Sequence, residues 1–224
     1  MGSPLNPLQD LTGLVLAGGQ GRRMGQEKGL TLWQGRPLAQ HALERLRPQV
    51  CAVALNVNRH LEDYAEWGVP MWGDPQPGAL QGPLAGMLTG LQNMTTEWLL
   101  TVPCDAPQFP LDLAQKLCQA LSANPPHTRR RTLAALACTA ALEPTQNAAQ
   151  NHPVFALIHR DLAPSLAQFL AQGERQVGLW LSQQQALPVW FDDPQAFANL
   201  NTPAELQAGL ALAAKPCLPK PPGL

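Results

Sequence analysis

The chain has 224 residues, 45% of them hydrophobic and 14% charged, with a formal net charge of −1. Its apolar share is enough for a sizeable core and too high for a disordered chain, and its length suits one domain, or one with an appended subdomain. The near-neutral balance argues against an extended nucleic-acid interface, and no apolar run reaches the ~18 residues of a membrane span.

Five cysteines (Cys51, Cys104, Cys118, Cys138, Cys217) show no CxxC spacing. That argues against a zinc site or a disulfide framework and for small buried thiols in a reducing compartment. Met1–Asp10 lacks the basic and apolar segments of a secretory signal, and Asn6 stands where a myristoylation motif wants Ser or Thr. The chain is expected to be cytosolic.

In chain order, residues 1–10 read as loose. Leu14–Ala17 reads as a buried strand that runs into a glycine-rich loop. Pro37 suits the first position of a helix with Leu38, Ala42 and Leu46 on one face. Cys51–Val57 reads as a strand covered on both faces, Val69–Trp72 as a marginal one, and Pro83 as the start of a helix carrying Leu84, Met87, Leu88 and Leu91. Glu97–Val102 reads as a strand, and from Leu111 the apolar residues return at helical spacing. The order β-loop-α-β-β-α-β-α implies a mostly parallel sheet with helices on both faces. Ligands gather beyond the carboxyl ends of such strands, so Gly18–Lys28, Asn56, Asp74 and Asp105 should share one rim.

Further on, Leu133–Leu142, Val154–Ile158 and Val189–Phe191 read as strands, Glu143–Asn151 as a polar loop, and Asp161–Ala171 as a helix with Pro164 in its first turn. Thr202-Pro203-Ala204-Glu205 has capping-box spacing and predicts a last helix. Lys215–Leu224, with four prolines, reads as a disordered tail. These features predict a flexible 1–10, a single domain over 11–212 and a tail over 213–224.

The chemistry concentrates at Gly13–Lys28. Four glycines within Gly18–Gly25 let backbone amides approach a ligand, and Arg22, Arg23 and Lys28 add positive charge. Strand, glycine turn and cations together read as a triphosphate site. A P-loop fails because Gly29 follows Lys28, and a dinucleotide fingerprint fails because Met24 stands where its third glycine belongs. Arg22 and Arg23, being adjacent, cannot both face phosphate. Asp105, between Pro103 and Pro107, suits a Mg²⁺ ligand and equally a turn or capping aspartate. Asn56 and Asp74 suit nucleoside recognition and equally strand-end turns. No clear His–carboxylate pair stands beside the loop.

The pattern Leu16-Ala17-Gly18-Gly19-x-x-x-Arg23-Met24-Gly25-x-x-Lys28 resembles the signature of nucleotidyltransferases that move a nucleoside monophosphate from an NTP. With Gly82-Pro83-Leu84-Ala85-Gly86 downstream, it is most similar to the molybdenum cofactor guanylyltransferases, the MobA family. The resemblance spans about Thr12–Leu206. It implies a three-layer, Rossmann-like α/β nucleotidyltransferase fold, with GTP held in 11–122 and the pterin in 123–212. It assigns GTP contacts to Leu16, Ala17, Gly18, Gly19, Lys28, Asn56, Asp74 and Asp105, catalysis to Arg23, Lys28 and Asp105, and Mg²⁺ to Asp105.

By similarity, Asn151-His152-Pro153, Gly173-Glu174-Arg175 and Asn199-Leu200-Asn201-Thr202-Pro203 surround the pterin substrate, with Arg175, Asn199 and Asn201 in contact. His152 reads more simply as a packed or capping histidine. The implied reaction is GTP plus Mo-molybdopterin giving the guanine dinucleotide cofactor and pyrophosphate. The implied partners are molybdenum-insertion proteins and molybdoenzyme chaperones, with neither nucleic acid nor membrane. Two positions depart from the family pattern: Glu27 replaces an aspartate before the lysine, and Gln176 stands where a second arginine is common. A cytidylyl- or sugar-phosphate nucleotidyltransferase and a non-catalytic GTP-binding carrier of the cofactor are the competing readings. Asp74 favours guanine over cytosine, and Lys28 with Asp105 favours an enzyme over a carrier.

Overall fold

The computed structural model describes residues 5–18, 27–74, 82–123, 132–141, 149–202 and 205–206. The predicted positions Gly19, Arg22 and Arg23 and the tail from Lys215 lie outside these residues.

A single helical turn, α1 (Pro7–Asp10), opens the described chain, with Asn6 accepting from the Leu8 amide as its cap. Here the chain departs from the loose segment expected over 1–10. It continues through β1 (Leu11–Leu16), a hairpin of β2 (Leu32–Trp33) and β3 (Arg36–Pro37), α2 (Leu38–Leu46), β4 (Ala52–Asn56), α3 (Leu61–Ala65), β5 (Met71–Trp72) and α4 (Pro83–Asn93). After these come β6 (Trp98–Pro103), α5 (Leu113–Ala123), β7 (Ala134–Ala140), β8 (Ala149–His159), α6 (Ala163–Ala171), α7 (Val177–Gln183) and β9 (Leu187–Trp190).

Among the described residues seven strands form one sheet in the order β5-β4-β1-β6-β8-β7-β9. All pairings are parallel except those of β8 with β6 and with β7. The mostly parallel α/β architecture expected from the sequence is what the chain adopts. β1 is buried at every position, as a central strand covered on both faces must be, and its one polar side chain, Thr12, is hydrogen-bonded to Thr96 Oγ1 at 2.8 Å.

One layer packs α2 (Ala42, Leu46) and α5 (Leu113, Leu117) on Leu11, Val15 and Leu100. The other packs α4 (Met87, Leu91), α6 (Leu166, Phe169) and α7 (Trp180) on Leu14, Leu99 and Ile158. Each large side chain so buried contributes about 1.5–3 kcal/mol. Cys104 and Cys118 sit in the first of these layers and Cys138 is buried as well, all as free thiols, and burial pushes Cys118 up to about 12; Cys51 is exposed.

Later elements depart from the sequence reading as well. The polar segment after Asn58 forms α3, whose Tyr64 is fully buried. The loop expected over Glu143–Asn151 gives way to strand from Ala149, with 142–148 outside the described residues. Pro153, a nominal strand breaker, is accommodated because the β7–β8 register shifts between Leu136 and Ala137, so that ladder partners jump from Ala156 to His152. Among the described residues no helix is long and apolar enough to cross a membrane.

Candidate active site

Register builds the site. Trp72, Asn56, Leu16 and Pro103 lie in one row across β5, β4, β1 and β6. The residues that follow each strand, Gly73–Asp74, Val57–Asn58, Ala17–Gly18 and Cys104–Asp105, therefore leave the sheet side by side at its carboxyl rim. Backbone bonds tie these exits together: the Ala17 amide donates to Asn56 O (3.0 Å), Val57 to Trp72 O (3.3 Å) and Cys104 to Leu16 O (3.2 Å). β1 lies between strands reached in opposite directions, which is the switch point where open α/β sheets bind ligands.

At one end of this row Lys28 Nζ donates to Asp105 Oδ2 and to Asn201 Oδ1. The Lys28 and Asp105 side chains are 24% and 13% exposed, so the pair is reachable yet sheltered. An ammonium has three donors, and these two contacts leave a third for an incoming oxygen. Asn201 is held in turn. Glu205 Oε2 accepts from the amides of Asn201 (2.6 Å) and Thr202 (2.9 Å), and the Glu205 amide donates to Thr202 Oγ1 (3.2 Å). The predicted capping box is formed, and it aims Asn201 at Lys28. The Leu200 amide donates to Asp105 O (2.6 Å), closing the same junction through the main chain.

At the other end Asn56 Nδ2 donates to Trp72 O and to Asp74 Oδ1, both at 2.9 Å. Asn58 holds Asp74 twice: its Nδ2 donates to Oδ2 (2.8 Å) and its Oδ1 accepts from the Asp74 amide (2.7 Å). Thr89 Oγ1 lies 3.3 Å from Asp74 Oδ1 and 3.0 Å from Ala85 O. Asn58 and Thr89 were not among the residues singled out from the sequence. The Asn56-x-Asn58 spacing was the available signal. Gly86 belongs to this end as well, because a Cβ there would lie 2.3 Å from Asn56 Oδ1.

Glu27 corrects the expectation that no His–carboxylate pair stands by the loop. Its side chain is 8% exposed, its Oε2 lies 3.8 Å from His60 Nε2, and Tyr64 Oη donates to Oε1 at 3.4 Å. Burial raises the Glu27 pKa against the opposing pull of His60, Tyr64 and Arg59.

Of the expected pterin residues, only Asn201 meets the site directly. Arg175 Nη1 donates to Leu170 O (2.9 Å) and Glu174 O (2.6 Å), capping the end of α6, and Asn199 is exposed. His152 is a packed residue, stacked on Phe197 with ring centroids 4.5 Å apart and joined to Thr139 Oγ1 at 2.9 Å. Burial lowers its pKa.

Asp105 is the carboxylate at the switch point, with Lys28 its one charged partner among the described residues. A hard oxygen ligand at this rim fits the way Mg²⁺ is usually held, by one or two carboxylates together with phosphate oxygens.

The fold and this rim define an α/β protein of the nucleotidyltransferase class. Molybdopterin-guanine dinucleotide biosynthesis protein A from Archaeoglobus fulgidus superposes with a TM-score of 0.67 at 19% identity, covering 90% of this chain and 98% of that one. A 4-diphosphocytidyl-2C-methyl-D-erythritol synthase from Anaerococcus prevotii gives 0.70 at 13% identity, over 92% and 97%. In sequence, a molybdenum cofactor guanylyltransferase from Bordetella petrii is 47% identical over 199 residues, covering 88% of this chain and 96% of that protein. One from Ralstonia nicotianae is 46% identical over 205 residues, covering 90% and 96%. The model of the MobA-like NTP transferase domain matches residues 13–186, and the chain belongs to that family.

Proposed function

We propose that this protein is a molybdenum cofactor guanylyltransferase, transferring GMP from GTP to the terminal phosphate of Mo-molybdopterin and releasing pyrophosphate. The observation that carries the reading is the junction of Lys28, Asp105 and Asn201 at the switch point, in a chain whose relatives bear that name over nearly their whole length.

The acceptor phosphate is the nucleophile. With a second pKa of about 6 it is largely ionised at pH 7 and needs no general base, so His60 and Glu27 take no part in proton transfer. Catalysis is alignment and charge neutralisation. The free donor of Lys28 meets an oxygen of the β- or γ-phosphate. Asp105 holds the lysine in place and supplies a hard oxygen ligand, while the backbone of Ala17 and Gly18 lines the phosphates and Gly19 takes the GTP contact that the family pattern assigns to it. Arg23 adds charge from the same loop. Asp105 is the residue that would hold Mg²⁺, which would supply electrostatic stabilisation to the phosphates when bound.

Residues 11–122 form the GTP half of a single domain and 123–212 the pterin half, with Arg175, Asn199 and Asn201 toward the pterin. The protein acts in the cytosol, where molybdenum-insertion proteins and molybdoenzyme chaperones are its partners.

The test is pyrophosphate release on adding Mo-molybdopterin to enzyme with Mg²⁺ and either GTP, CTP or ATP. Release with GTP alone, with formation of the guanine dinucleotide, is the expected result. Release with CTP alone moves the assignment to the cytidylyl enzyme, and GTP binding without turnover moves it to a carrier.

A further inference from the structure

Two amides at the rim have orientations dictated by what surrounds them. Asn56 Nδ2 faces two acceptors, Trp72 O and Asp74 Oδ1, so both its hydrogens are engaged and its Oδ1 must point the other way. That oxygen takes no hydrogen bond among the described residues. It faces the glycines of two motifs: a Cβ on Gly86 would lie 2.3 Å from it, and one on Gly18 3.6 Å. Asn58 is fixed as firmly, since Asp74 offers it one acceptor and one donor and only one amide orientation satisfies both.

Asp74 itself is mostly engaged. Oδ1 faces Asn56 Nδ2 and Thr89 Oγ1, while Oδ2 accepts from Asn58 Nδ2. A carboxylate has about four lone-pair places, so the aspartate is a clamp more than a reader. The Thr89 hydroxyl has one hydrogen, and the shorter of its two contacts is to Ala85 O, so Asn58 is the principal restraint.

We propose that Asn58 is a positioning residue for nucleotide selection: it fixes Asp74, which fixes the Asn56 amide so that its oxygen accepts a hydrogen bond from a donor on the nucleoside. The proposal rests on the GTP reading and deepens it. A presented acceptor selects an N–H or O–H on the ligand and rejects another acceptor. On guanosine the donors are the base N–H groups and the ribose hydroxyls.

The experiment measures dissociation constants of GTP, ITP (no 2-amino group) and 2′-deoxyGTP on the full chain by calorimetry, for the wild type, Asn58→Ala and Asn58→Asp. The wild type is expected to lose about tenfold to a hundredfold on at least one analogue, the range for a hydrogen bond left unmade at a buried partner. Loss on ITP assigns the donor to the base, and loss on 2′-deoxyGTP assigns it to the ribose. In both variants that penalty should shrink toward unity while GTP weakens, with Asn58→Asp the more severe because it sets a second carboxylate against Asp74. Melting curves identify any variant that fails to fold, and Thr89→Val, nearly isosteric, then provides the smaller change in the same direction.

Folded Asn58 variants that keep the wild-type ratios would overturn the proposal, as would a wild type that binds all three nucleotides equally and also loses nothing on 1-methylguanosine and 3′-deoxyguanosine triphosphates, which remove the remaining donors. A wild type that binds no GTP overturns the function itself, and so the two failures are distinguishable.

Discussion

Lys28 and Asp105 show what one residue contributes here. The lysine joins the end of the glycine loop to the end of β6 and, through Asn201, to the last described segment. Replacing Asp105 by Ala removes the carboxylate without opening the core, because the side chain lies at the rim. The Asp105→Ala variant should therefore keep its circular-dichroism spectrum and melting temperature near wild type and lose turnover. Full activity with Mg²⁺ in that variant would sink the metal assignment. Lys28→Gln should slow turnover on the order of 10²–10³-fold, the loss found when one preorganised donor is removed from a site of this kind.

Glu27 makes a pH prediction. Its pKa is raised from 4.5 in the folded chain, so the folded state holds the proton more tightly than the unfolded one. The stability associated with the protonated acid is fully present below pH 4.5 and is lost as pH rises through the raised value. Relative to the wild type, Glu27→Gln should gain stability at pH 8 and lose that advantage as pH falls toward 4. Melting temperatures across this range decide it: no gain at pH 8 would mean that His60 and Tyr64 fully compensate the buried charge.

At the scale of elements, the legible parts were those written in continuous apolar runs or clear punctuation. β1, β4 and β6 are such runs, and Pro83 and Pro164 mark helix starts. The β2–β3 hairpin was not read, because Gln34-Gly35 replaces the Asn-Gly or Asp-Gly signal, although both φ angles are positive as a tight hairpin requires. α3 and α7, of five and seven residues, are too short for a helical period to stand out. The carboxylate and lysine of the site were legible as residue types at strand ends. Glu205, which holds Asn201 against the lysine, was legible through its capping-box spacing. Asn58 and Thr89, which hold Asp74, were not singled out, since the side chain that a short polar residue will bond is not written in its spacing.

α4 belongs to this scale too, since its first turns must pass close to Asn56. Gly86→Ala should leave the helix intact and displace the Asn56 amide, because the new methyl would lie 2.3 Å from Oδ1. GTP affinity should fall while helix content is unchanged. Wild-type affinity in Gly86→Ala would show that Asn56 is free to move.

Across the whole molecule, the site draws on residues 17–18, 27–28, 56–58, 74, 86–89, 105 and 201, so both halves of the chain meet at one rim. A ligand bound there tightens contacts between segments far apart in sequence. GTP held at a hundred times its dissociation constant should add about 2.7 kcal/mol to the free energy of unfolding, whatever contacts it makes. Where that protection falls is the informative part. If Asn201 and Lys28 close on the phosphates together, amide exchange on GTP binding should slow at Leu200–Thr202 as well as at Ala17–Gly18 and Asn56–Asn58. Leu200 carries the reporter, since its amide bonds Asp105 O at 2.6 Å and exchanges only when that junction opens. Slowing confined to residues before 106 would remove the C-terminal segment from the GTP site and leave Asn201 to the second substrate alone.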